Sequence, residues 1–183
     1  MLRAVLSTTA TAALVLGLAG TAVAQSKAAN IASAMAAAPA SVAKNATIKD
    51  WPDKNGNMAV LREGSNGWTC LPSHPKTRIL TNDAMCMDGN FGDLIGALMS
   101  NKPPALKGVG YSYMLSADDW ESNTDPMAQK ETADNQWHHV RPHVMVVYPD
   151  KAMLAGIPTR PSTNGPYVMW SSTPYAHVMW PVK

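Results

Sequence analysis

The sequence predicts an α+β domain, built on a mostly antiparallel sheet of about five to six strands with one main helix and long loops. Three observations lead there. Short β-branched and aromatic runs bounded by turn residues recur along the chain, at Met58 to Arg62, Trp68 to Leu71 and Val109 to Leu115. One strand-like pattern is written three times near the C-terminus: Pro142-His143-Val144-Met145-Val146, Pro166-Tyr167-Val168-Met169-Trp170 and Ala176-His177-Val178-Met179-Trp180. Between Phe91 and Leu98, apolar residues recur at helical spacing, as Phe91, Leu94, Ile95 and Leu98.

Taken in order, residues 1–24 read as a secretory signal peptide. Arg3 supplies a positive charge, an apolar stretch follows from about Ala10 to Ala19, and Ala22-Val23-Ala24 offers small residues for cleavage. Thr8, Thr9, Thr11, Gly17 and Gly20 dilute this stretch, and a spanning helix wants about 20 mostly apolar residues, so no stable membrane insertion is expected after cleavage. Residues 25–46 are Ala-rich with few large apolar side chains. They read as a flexible tether, leaving 47–183 as a single α+β domain. Met58 to Arg62 and Trp68 to Leu71 flank Glu63-Gly64-Ser65-Asn66-Gly67, which predicts a hairpin. The helix from Phe91 is capped by Asp88 or Asn90 and stopped at Asn101-Lys102-Pro103-Pro104. Val109, Tyr111, Tyr113 and Leu115 alternate with Gly110, Ser112 and Met114 as a half-buried strand. From Ser116 to about Gln136 no period is sustained, which predicts a long acidic loop. The three Val-Met strands close the chain, the last two near enough to form a hairpin.

Composition narrows the function. The formal net charge is +2 over 183 residues, and no cluster of Lys and Arg underlies it. A nucleic-acid surface needs clustered basic residues, so that class is set aside. Cys70 and Cys86 are the only cysteines, and in an exported chain the expectation is a disulfide. Closing a loop of about 15 residues stabilises a fold by roughly 3 kcal/mol on the chain-entropy account.

Several segments together resemble an uncharacterised group of small exported bacterial proteins. They are Asp50-Trp51-Pro52, GSNGWTCLP from Gly64, SNTDP from Ser122, PHVM from Pro142 and GPYVMWSSTPYAH from Gly165. The resemblance implies a periplasmic or secreted bacterial domain and assigns no activity, ligand or catalytic residue.

Chemistry therefore rests on the residues. Side chains alternate across a strand, so His143 shares a face with Met145 and His177 with Met179. Imidazoles and soft thioethers suit copper, which makes these four the candidate metal ligands. The bland alternative is that Met145, Met169 and Met179 simply fill an apolar face, which methionine does well. Tyr167, Trp170, Tyr175 and Trp180 are a candidate ligand cleft for a small amphipathic molecule. The acidic stretch Asp118 to Asp125 offers hard oxygens for calcium but does not match an EF-hand loop. The expected function is thus an exported small-ligand or metal-binding accessory domain whose ligand the sequence does not name, with a soft-metal (copper) site on the His/Met sheet face as one candidate. The alternative is a periplasmic hydrolytic or metal-dependent enzyme using His138, His139 or His143.

Overall fold

A computed structural model describes residues 26–74 and 83–182. The segment read as a signal peptide and residues 75–82 lie outside the described residues. No helix among those described is long and apolar enough to cross a membrane.

The described residues open with α1 (Lys27–Ala36), capped by Ser26, whose hydroxyl accepts from Ala29 N at 3.2 Å, and a single turn α2 (Ala40–Ala43). This stretch was expected to be a tether; over residues 26–46 it is helical and packed. Ala34, Ala37, Ala43 and Ala46 are fully buried against Ile48, Cys70 and Cys86. Small side chains bury little area each, but they let a helix sit close to a sheet. Polar ties hold it there: Asn30 Nδ2 donates to Asp50 at 3.1 Å, and Leu115 N to Ala37 O at 2.9 Å. Arg62 donates to the carbonyls of Ala43 and Ala46, which terminate the helical stretch.

The strands follow as β1 (Thr47–Lys49), β2 (Val60–Arg62), β3 (Thr69–Leu71) and β4 (Met85–Met87). The expected hairpin between β2 and β3 does not form. β1 lies between them, antiparallel to β2 and parallel to β3. Gly64 shows why: a β-carbon there would stand 2.2 Å from the Ala46 carbonyl carbon. Its role is to let the connection cross β1 closely, while Gly67 takes the positive φ of 78°. β3 and β4 pair with Cys70 opposite Cys86, and the disulfide joins the two strands directly.

α3 (Gly89–Met99) is the expected main helix. Asp88 caps it, one carboxylate oxygen accepting from Phe91 N at 2.9 Å and the other from Tyr111 N at 3.0 Å. It ends at Asn101, in the left-handed region at φ 51°. The chain returns as β5 (Gly110–Met114), whose core face is the reverse of the one the aromatics suggested. Gly110 and Ser112 are buried under α3, while Tyr111 is 46% exposed. A β-carbon at Gly110 would lie 2.4 Å from Phe91 N, so helix and strand pack backbone to backbone.

The stretch expected to be a structureless loop begins with β6 (Asp119–Ser122), which pairs antiparallel with β7 (Trp137–Val140) in a separate two-stranded sheet. β8 (His143–Val147), β9 (Tyr167–Met169) and β10 (His177–Pro181) are the three Val-Met strands, and β9 and β10 do form a hairpin. Among the described residues the main sheet has eight strands, in the order β2-β1-β3-β4-β5-β8-β10-β9. The architecture is α+β as expected, with a larger sheet that is mixed at β1–β3. One face carries the alanine helix. The other packs Leu71, Met87, Met145 and Met179 against Phe91 and Leu94 of α3.

Candidate functional site

The first and third Val-Met strands are neighbours. β8 and β10 run antiparallel with Met145 opposite Met179, so the two His-Val-Met segments place their imidazoles and thioethers on one face. The flanking strands add to it. Met114 of β5 stands opposite His143, and Met169 of β9 opposite His177. All six side chains line a cavity of about 260 Å³ between the sheet, α3 and β6–β7.

The two histidines are held alike. His143 is 2% exposed and its Nδ1 lies 2.6 Å from Arg141 O; His177 is 1% exposed and its Nδ1 lies 2.9 Å from Tyr175 O. A carbonyl only accepts, so Nδ1 carries the proton in both rings and each Nε2 presents a lone pair. Neither Nε2 has a hydrogen-bond partner. Burial pushes both pKa values down to about 4, and the neighbouring His177 adds to the effect on His143. Both rings are therefore neutral at physiological pH. Leaving such an acceptor unpaired in an interior costs about 1–3 kcal/mol, which makes the two bare nitrogens the least expected feature of the core.

Trp170 is strained beside them. It adopts φ 55°, rare for a bulky side chain and worth about 1–3 kcal/mol in general. Its backbone N donates to Asn123 O at 2.7 Å and its indole to Ser122 O at 2.9 Å. So pinned, the indole meets the His177 ring edge-on at a centroid distance of 5.0 Å, and Phe91 meets the same ring at 5.9 Å. These contacts fix the orientation of the His177 ring.

Carboxylates also line the cavity: Asp119 and Glu121 from β6, and Asp83 from the residues just before β4. Asp119 and Glu121 sit two apart on β6 and share its inward face. Burial raises the Asp83 pKa, against the lowering effect of a hydrogen bond from His74 N at 2.6 Å. Asp118, on the other side of β6, pairs instead with His139.

Of the other candidates, Trp170 alone among the four aromatics lines the cavity. Tyr175 is buried in the core, Tyr167 turns its hydroxyl to His138 Nε2 at 3.1 Å, and Trp180 lies on the opposite sheet face, 54% exposed. The three histidines of the enzyme alternative also separate. His138 and His139 alternate along β7, His138 inward to Tyr167 and His139 outward, stacked on Trp120. His143 sits in the thioether cavity. Met85 and Met114 were missed from sequence, because large aromatics around Met114 suggested the wrong inward face. Asp83 carries no sequence signal beyond charge, while Asp119 and Glu121 belong to the acidic stretch weighed for calcium.

Among the described residues no three His, Cys, Asp or Glu side chains come together in a way that could hold an ion, so an ion bound on this face needs thioether ligands. Comparison with protein families, curated proteins and solved structures finds no match to this chain.

Proposed function

We propose that this protein is an exported bacterial binding domain for a soft metal ion, copper foremost, with His143, His177, Met145 and Met179 among the ligands. The observation that carries the reading is the pair of buried neutral imidazoles with bare Nε2 atoms facing a methionine-lined cavity. A metal-binding histidine commonly donates its second ring N–H to a carbonyl, which fixes the tautomer and aims the free nitrogen. Thioethers favour copper over harder ions. The carboxylates of the wall attract a cation toward the cavity, and the disulfide suits an oxidising compartment.

The test is thermal unfolding of the oxidised protein with and without copper, and with zinc for contrast. Free metal at about 100 times its dissociation constant stabilises a fold by roughly 2.7 kcal/mol. The expected result is a rise in Tm with copper that is lost in the His143→Ala, His177→Ala double variant. An unchanged Tm with copper sinks the proposal.

The cavity volume favours one second reading. About 260 Å³ exceeds what one ion fills, and two acceptor nitrogens in apolar surroundings suit a small organic molecule carrying N–H or O–H donors. Such a ligand would raise Tm where copper does not.

A further inference from the structure

We propose that the sheet face holds two monovalent soft-metal ions, one on each side of the Met145–Met179 pair, each bound by one imidazole and by thioethers. The inference rests on the soft-metal reading above and concerns how many ions bind, of what charge and to which side chains.

The register contains a local two-fold symmetry. β8 and β10 carry the same tripeptide, His143-Val144-Met145 and His177-Val178-Met179. They pair antiparallel, with Met145 opposite Met179. Such a pair has a two-fold axis through its central residues. His143 and His177 therefore occupy equivalent places on opposite sides of that axis. The symmetry extends one strand outward on each side: β5 sets Met114 opposite His143, and β9 sets Met169 opposite His177. The result is two equivalent sets, His143 with Met114 and His177 with Met169, sharing the central methionine pair.

Distances favour two ions over one. Each histidine lies two residues from the axis, in opposite directions, so their α-carbons are roughly 13 Å apart along the strands at about 3.3 Å per residue. The methionine directly across from each histidine has its β-carbon only about 5 Å from that of the histidine. An ion bonded to both imidazoles at about 2.0 Å needs the two Nε2 atoms within roughly 4 Å of each other. An ion bonded to one imidazole, its facing methionine and a central methionine needs only adjacent side chains. The cavity of about 260 Å³ has room for both ions.

The donor set decides the charge. Neutral imidazoles and thioethers bring no negative charge, and the desolvation penalty of a buried ion grows with the square of its charge. The two carboxylates of β6, Asp119 and Glu121, line the same cavity, one for each monovalent ion. Cu(I) fits the softness and the charge; Zn(II) and Cu(II) fit neither as well.

The experiment is metal counting by native mass spectrometry on the protein with its disulfide intact. The probes are Ag(I), a redox-inert monovalent ion, and Cu(I) supplied anaerobically as its acetonitrile complex, without thiols. Two ions per chain are expected, falling to one in Met114→Leu and to one in Met169→Leu. Leucine conserves volume and shape, and circular dichroism confirms that each variant is folded. X-ray absorption of the Cu(I) form should show about one nitrogen and two sulfurs per copper. One ion per chain, with two nitrogens on the copper, overturns the two-site inference and leaves the soft-metal function standing. No ion bound at all overturns both.

Discussion

Acidification should unfold this protein through His143 and His177 before most of its carboxylates titrate. In the unfolded chain each imidazole titrates near 6.5; in the native protein burial holds both near about 4. Between those values the unfolded chain takes up protons that the native chain refuses, so stability is lost as pH falls from about 6.5 toward about 4 and levels off below. From pH 7 to pH 5 the loss is about 2 kcal/mol for each imidazole and about 4 kcal/mol for the pair, from the two titrations alone. The raised Asp83 carboxyl acts in the opposite sense, gaining stability as it protonates, and blunts the effect. Urea unfolding at pH 7, 6 and 5 reads the difference. With an m-value near 2 kcal/mol per molar, the midpoint should drop by about 2 M across that range. In His143→Leu, His177→Leu most of the drop should vanish, and each single variant should remove about half. An equal drop in wild type and double variant would show that these rings charge freely in the native state, and the picture of two neutral buried acceptors would be wrong.

Three further outcomes follow from the same structure. Copper affinity should stay flat between pH 7 and pH 5, where an exposed histidine site weakens as its rings protonate; competition with a colorimetric chelator at several pH values measures this. Replacing Cys70 and Cys86 together by Ala should remove roughly 3 kcal/mol of stability, read as a lower urea midpoint with a larger m, because the unfolded chain expands once its cross-link is gone. Gly110→Ala should destabilise by about 3 kcal/mol or more, because its β-carbon meets the Phe91 backbone rather than a movable side chain; Gly96→Ala, which meets nothing, serves as the control in the same unfolding assay.

Local signals in the sequence were legible where one residue has one role. Asp88 caps α3 because its side chain accepts from Phe91 N, and the spacing of Phe91, Leu94, Ile95 and Leu98 turned one stripe to the sheet. The β9–β10 hairpin followed from the short gap between its strands. Failures came where tertiary packing overrode local cues. Residues 26–46 looked too poor in large apolar side chains to join a core, yet alanines pack well wherever a helix can lie flat on a sheet. Gly64 reads as turn chemistry but serves a backbone crossing. On β5, Tyr111 and Tyr113 outweigh Gly110 and Ser112 by size, yet α3 needs the small side and takes it.

By itself the sequence determined that His143 shares a side with Met145 and His177 with Met179, because alternation along a strand is a property of the strand alone. It also determined that Cys70 and Cys86 had one another as the sole thiol partners. Whether the two His-Val-Met strands meet was beyond it, since pairing order depends on the free energy of the whole sheet and leaves no mark on any one strand. Tertiary structure set β8 beside β10 with Met145 against Met179, brought Met114 and Met169 to the two histidines, and closed α3 and β6 over them. The same closure excludes water from both Nε2 atoms and holds the rings neutral. A pair of repeated tripeptides became a candidate site only through that burial.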